Sequence, residues 1–292
     1  MPRKLRLLLE YDGTAYEGWQ LQARSDRTIQ FELERAIETV TGTHSRIQVA
    51  GRTDSGVHAL GQVAHFVTDS RHELERFTPA LNWHLPKDIS VVETREVPME
   101  FDARFDARGK IYRYTILNRA VRSGILRDRA WQLRKRLDIE AMQAAANHLL
   151  GEHDFSSFRS HGCSSRHPVR HIYKLDVTRH QESYGPEIVD IEIFATAYLK
   201  QMVRNISGTL ALVGRGLLNP DDMLRILEAR DRKAAGPAAP ACGLKLVKIF
   251  YEDDPPPPEL MDLIPDHHFI KAGKPKRNRT SIPEITADDG DE

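Results

Sequence analysis

Residues 51–59 read Gly-Arg-Thr-Asp-Ser-Gly-Val-His-Ala and set one carboxylate, Asp54, between two glycines and beside the Arg52 guanidinium. Glycine reaches backbone conformations closed to other residues, so a loop of this composition can present Asp54 to a substrate instead of burying it in a strand. A carboxylate kept ionised by Arg52 in a partly desolvated cleft can act as a nucleophile or a base. The same string also reads as an ordinary turn between residues 46–49 and 63–67, because Asp, Ser and Gly favour turns for structural reasons. Charge adds a second theme. Residues 104–136 hold 11 Lys or Arg against Asp106 and Asp128. Residues 155–175 add Arg159, Arg166, Arg170 and Lys174 with no carboxylate, interleaved with Phe158, His161, His167, His171 and Tyr173. Such stretches suit the phosphates of a nucleic acid, although a merely solvated basic face has the same composition.

The nonapeptide resembles the signature of the tRNA pseudouridine synthase A family, which runs Gly-Arg-Thr-Asp, then Ala or Ser, then Gly-Val-His-Ala. Further matching strings follow in order: Glu10-Tyr11-Asp12-Gly13, Gly18-Trp19-Gln20, Phe105-Asp106-Ala107-Arg108, Lys110-Ile111-Tyr112 and Met202-Val203-Arg204-Asn205-Ile206. Cys163, Pro168, Arg170, Ala235-Gly236-Pro237 and Gly243-Leu244 complete a resemblance covering about residues 3–252. It implies isomerisation of uridine to pseudouridine in the anticodon arm of tRNA, at tRNA positions 38, 39 and 40, by a homodimer with no cofactor and no metal. That reaction breaks the bond from uracil N1 to ribose C1′, turns the base and rejoins C5 to C1′. It needs a base or nucleophile on the sugar side, a pocket that retains the detached base, and positive charge for the developing anion. Asp54 suits the first need, whether by attack on C1′, removal of the C2′ proton or attack on uracil C6. The target base must first leave its stack, which costs a few kcal/mol.

On spacing alone Tyr112 fills strand space beside Tyr114. The resemblance makes it the residue that contacts the target base, with its ring stacking and its hydroxyl free to hydrogen-bond. Arg204 falls on the polar face of a helix whose apolar stripe is Met202, Ile206, Leu210 and Val213, where an arginine is ordinarily solvated. The resemblance implies instead that Arg204 pairs with the catalytic aspartate, which leaves Arg52 for an RNA phosphate. Tyr198-Leu199-Lys200-Gln201 departs from the family's aromatic and histidine-rich run, which bears on the pocket rim. His58 reads as a packed histidine, and Trp19, Gln20 and Gln22 either face the RNA or hold the N-terminal loop. Two rival readings are a non-catalytic RNA-binding module, which makes no demand on Asp54, and a metal-dependent phosphodiesterase. The second is weak, because His58 and His65 lack a supporting carboxylate at ligand spacing.

The 292 residues are 40% apolar and 29% charged, without an apolar run long enough to span a bilayer, which predicts a soluble cytoplasmic protein. Cys163 and Cys242 stand alone, as expected in a reducing compartment. The net charge of zero conceals an asymmetry: residues 252–292 carry 11 acidic and 5 basic groups, leaving residues 1–251 with 37 basic and 31 acidic.

The elements that must position these residues follow from periodicity. Strands are expected at residues 4–10, 63–67, 89–94, 111–117, 172–178, 188–195 and 244–251, and helices at 29–41, 73–84, 139–150 and 199–214. A further helix is expected to start with Asn219 as N-cap and Pro220 in its first position. Strands and helices mix without strict alternation, which predicts an α+β fold. With the resemblance, this becomes two mixed α/β, RRM-like or ferredoxin-like, subdomains with joined antiparallel sheets and a central basic cleft. Residues 1–105 would form the N-terminal subdomain carrying the catalytic loop and 106–253 the C-terminal one. Residues 254–292 would be a flexible tail, with Leu260–Ile264 as its one segment able to dock.

Overall fold

The computed structural model describes residues 1–23, 25–181, 185–261 and 263–264. Strand β1 (Arg3–Tyr11) alternates Leu5, Leu7 and Leu9 into the core, all fully buried, while Leu8 on the other face is half-buried. Helix α1 (Ile29–Thr41) buries Ile29, Leu33 and Ile37 at helical spacing. The Thr28 hydroxyl caps its start by accepting from the Phe31 N–H, and Gly42, at φ 74°, ends it in the left-handed conformation. The short β2 (Gln48–Val49), β3 (His58–Thr68), α2 (Leu74–His84) and β4 (Ile89–Val97) complete the N-terminal half.

The C-terminal half follows with β5 (Gly109–Leu117), the short β6 (Trp131–Gln132), α3 (Ile139–Asn147), β7 (Gly151–Asp154), β8 (Val169–Gln181), β9 (Glu187–Ala195), α4 (Met202–Gly214), α5 (Asp222–Ala229) and β10 (Leu244–Phe250). All eight longer strands form one sheet in the order β4-β1-β3-β10-β5-β9-β8-β7, with β2 beside β3 and β6 beside β5. The pairing is mostly antiparallel, and the fold is α+β. The last strand joins the halves: β10 runs parallel to β3 and antiparallel to β5, so it fixes the Asp54 loop before β3 against the strand that carries Tyr112.

Three local expectations shift. Helix α3 stops at Asn147, and the chain turns through Gly151 at φ 91° into β7. Regular helix in α4 begins at Met202, because Gln201 takes φ 58°, outside the helical region. Regular helix in α5 begins at Asp222; the turn before it is closed by the Asn219 N–H donating to the Asp222 carboxylate at 2.8 Å, the carboxylate half of a capping box.

Packed chain also continues past the expected boundary at Asp253. Helix α6 (Pro258–Met261) brings Leu260, and the following turn brings Ile264, into a buried cluster with Ile111, Tyr173, Phe194 and Phe250. The rest of the expected tail, residues 265–292, lies outside the described residues.

Candidate active site

The Asp54 loop is shaped by close backbone contacts. Gly18, at φ 95°, lies so near the loop that a Cβ there would stand 2.8 Å from the Thr53 carbonyl oxygen, and one on Gly13 would stand 2.1 Å from that of Val57. The Trp19 N–H donates to the Thr53 carbonyl at 3.1 Å, and the Ser55 hydroxyl donates to that of Tyr16 at 3.1 Å. The Tyr11 hydroxyl and Thr53 Oγ1 are 2.9 Å apart, and the Gln62 amide donates to the Gly51 carbonyl at 2.8 Å. Burial pushes the Tyr11 phenol up to about 12, against the hydrogen bonds from Thr53 and Gln62, so this anchor stays protonated. A loop tied at each side in this way holds its carboxylate in one place.

Arg204 reaches that carboxylate from α4. Its Nη1 is 3.3 Å from Asp54 Oδ2, across 150 positions of sequence, and its Nε donates to the Ala239 carbonyl at 2.8 Å. Asp54 keeps a third of its side chain exposed while Arg204 is mostly covered, so the pair opens on the Asp54 side. Ala239 is positioned in turn by α4 itself, donating its N–H to the Arg204 carbonyl at 3.0 Å. This return segment approaches the helix so closely that a Cβ on Gly208 would lie 1.9 Å from the Pro237 carbonyl oxygen. Its next carbonyls brace two other elements: Pro240 accepts from the Tyr114 hydroxyl at 2.8 Å, and Cys242 lies 3.1 Å from His58 Nε2.

Tyr112 faces the same cleft from β5. It is 8% exposed, and its ring meets that of Tyr198 edge to face, with centroids 4.9 Å apart. The Tyr198 hydroxyl lies 2.9 Å from the Lys110 carbonyl and 2.7 Å from that of Ile193, which fixes the edge against which Tyr112 rests. Burial, together with nearby Tyr11 and Asp54, holds the Tyr112 phenol above the ordinary tyrosine range, and among the described residues its hydroxyl has no protein partner. Tyr112 thus offers a protonated hydroxyl and part of a ring face to whatever enters.

The cleft has a volume of about 1100 Å³. Among the described residues, Arg46, Arg52, Arg104, Lys110, Arg170 and Lys200 line it against only Asp54 and Asp102, so the central cleft is basic. Arg52 is exposed there without a hydrogen-bond or ion-pair partner among the described residues. Two further guanidiniums are met by carbonyls: Arg159 donates to the cleft-lining Cys163 and Ser165, and Arg170, itself lining the cleft, to His167 and Val169. Carbonyl partners leave the positive charge intact for a phosphate.

Asp54, Arg204, Tyr112 and Arg52 therefore converge. Trp19 and Gln20 also line the cleft, but Trp19 is 1% exposed and Gln20 is bound to Gln30, so both hold the N-terminal loop. The histidines stand apart. His58 is buried between the Gly13 N–H, the Asp12 carboxylate and the Cys242 carbonyl, and His65 accepts from the Ala103 N–H, so neither lines the cleft. Arg113 alternates to the opposite face of β5 and binds Glu192 at 2.7 Å. Residue-level reading missed Lys110 and the Ala239 carbonyl as parts of the site and had Tyr198 only in a run bearing on the pocket rim; the two-residue spacing of Lys110 and Tyr112 on one strand was the available signal.

This constellation, one carboxylate gripped by a helix arginine beside a tyrosine in a basic cleft, defines a nucleic-acid-modifying site on an α+β sheet. Comparison with known proteins identifies the class. The model of the family described as tRNA pseudouridine synthase matches residues 8–106 and 145–252. The tRNA pseudouridine synthase A of Acetivibrio thermocellus is 47% identical over 249 residues, 85% of this chain and all of that one. The protein of the same name from Geotalea uraniireducens is 45% identical over the same shares. The one from Myxococcus xanthus is 45% identical over 256 residues, 88% of this chain and 94% of that one. The chain belongs to the tRNA pseudouridine synthase family.

Proposed function

We propose that this chain isomerises uridine to pseudouridine in the anticodon arm of tRNA, with Asp54 as the nucleophile or base. The observation that carries the reading is the Asp54–Arg204 pair, open on its carboxylate side and set beside Tyr112 in a cleft with six basic groups. Arg204, fastened at its Nε by Ala239, orients the carboxylate for attack on C1′, removal of the C2′ proton or attack on C6. Tyr112 receives the extruded base, its ring providing a stacking surface that offsets the cost of leaving the helix stack. Arg52, exposed and without a partner among the described residues, takes a phosphate of the flipped nucleotide. The family resemblance supports action as a homodimer with the cleft between the subdomains 1–105 and 106–253, and the two free cysteines suit the cytoplasm.

The test is tritium release from tRNA labelled at uracil C5. Wild-type protein is expected to release label, and Asp54→Asn to release none while its tRNA affinity stays within about tenfold, because phosphate contacts supply most of the binding. A wild type that binds tRNA without release is an RNA-binding module, and an active Asp54→Asn overturns the assigned role.

A further inference from the structure

Lys110 is a cation in the cleft that no carboxylate among the described residues meets. It stands two residues before Tyr112 on β5, so both side chains leave the same face of the strand and line the cleft with Asp54. Its Nζ donates to the Ala50 carbonyl at 2.6 Å, and no carboxylate pairs with it among the described residues. The seat is fitted to the ammonium, since a Cβ on Gly51 would lie 2.9 Å from Nζ. Burial, with the Arg104 charge beside it, pulls the Lys110 ammonium down to about 8. A charge held where it is penalised, and left without a protein counter-ion, is satisfied when a ligand supplies the negative partner.

We propose that the Lys110 ammonium hydrogen-bonds a carbonyl oxygen of the uracil and stabilises the negative charge that the ring acquires when its bond to ribose breaks. The inference rests on the isomerase reading above. When N1–C1′ breaks with both electrons leaving on the ring, the charge spreads over N1 and the carbonyl oxygens. Lys110 stays protonated and forms no covalent bond. Rejoining C5 to C1′ returns the ring to neutrality; the C5 proton is then lost to solvent while N1 takes up a proton, and the ammonium is left as it began. Such a donor acts on charge that develops during the reaction, so its removal slows the chemical step more than it weakens binding.

Arg104 stands beside Lys110, and the other charged or titratable groups lining the cleft with it are Arg46, Arg52, Asp54, Asp102, Tyr112, Cys163, Arg170, Tyr198 and Lys200. Single-turnover tritium release and tRNA affinity are measured for wild type, Lys110→Met and Lys110→Arg. The methionine variant is expected to lose about 10²-fold or more in rate, as when one oxyanion donor is removed. Its tRNA affinity stays within about tenfold, since phosphates carry most of the binding. Its melting midpoint does not fall, because an unpaired buried charge has been replaced by an apolar chain. The arginine variant cannot lose its charge, so the ratio of its rate to that of wild type rises as pH passes from neutral through the alkaline range. A Lys110→Met rate near wild type, or a rate loss matched by a large fall in melting midpoint, overturns the proposal; the latter makes Lys110 a structural tie to Ala50. If Lys110→Met does not fold, the Lys110→Arg ratio decides, and a ratio constant with pH overturns it. Failure of the wild type to release tritium would instead remove the isomerase reading.

Discussion

At the scale of single residues, the site depends on what each side chain is spared from doing elsewhere. The Tyr112 hydroxyl has no protein partner among the described residues, and its ring meets that of Tyr198 edge to face. Tyr112→Ala is therefore expected to lower turnover about 10- to 100-fold, from the 1–3 kcal/mol that base–aromatic stacking supplies. Tyr112→Phe keeps the ring and should retain most of the activity; steady-state tritium release checks both, and equal losses would assign the function to the hydroxyl. Arg204 divides its guanidinium between Asp54 and the Ala239 carbonyl. Arg204→Lys keeps the charge but not the fork, so it should fall well below wild type in turnover while binding tRNA normally. A lysine variant with full activity would show that charge near Asp54 suffices without orientation.

Among the elements, α4 and the return segment after it form one mechanical unit. Gly208 admits the Pro237 carbonyl against the helix, and the same pass of chain delivers the Ala239 carbonyl to Arg204. A methyl group at position 208 must displace backbone, not a flexible side chain. Gly208→Ala is expected to cost about 1–3 kcal/mol, as overpacking does. At roughly 2–4 °C per kcal/mol in a protein of this size, thermal melting will show it. Turnover should fall further than stability accounts for, because the segment that steadies Arg204 moves. The segment around α6 is the second such case: cutting after Asp254 removes Leu260 and Ile264 from Ile111, Phe194 and Phe250. Burial of two such side chains is worth about 3 kcal/mol or more, so the truncated protein should melt several degrees lower. An unchanged midpoint would return the boundary to Asp253.

For the whole molecule, the relevant field is that of the cleft and not of the chain. Net charge is zero, and four of the eleven basic groups in residues 104–136 are paired with carboxylates: Arg108 binds Glu252, Arg113 binds Glu192, Arg127 binds Asp128 and Arg129 binds Asp12. Affinity for tRNA should fall steeply with salt, and Arg52→Gln or Arg104→Gln should each reduce the slope by somewhat less than one, as expected for each lost phosphate contact. Arg113→Gln should leave it unchanged. Filter binding across a salt series separates these outcomes, and an altered slope for Arg113→Gln would mean that RNA reaches the opposite face of β5.

Much of this was legible in the order of residues. Alternation of Leu5, Leu7 and Leu9, helical spacing of Ile29, Leu33 and Ile37, and Gly42 as a stop identify their elements because burial and backbone freedom act locally. The loop around Asp54 was legible as a motif, since its glycines must be adjacent in sequence to shape one turn. What stayed hidden involves partners far apart in the chain. The pairing of Arg204 with Asp54 was expected only through the resemblance; no local pattern reveals it, nor that a carbonyl at Ala239 fastens the arginine, nor that β10 joins the halves through a parallel pair with β3. Sequence alone could count the charges in the basic stripe but not assign them to a face, because a strand turns successive side chains to opposite sides and only the packed sheet decides which side is the cleft. Lys110 and Arg113, three positions apart, look alike as letters. The tertiary structure sets one in the cleft beside Asp54, without a counter-ion among the described residues, and the other on the opposite face against Glu192.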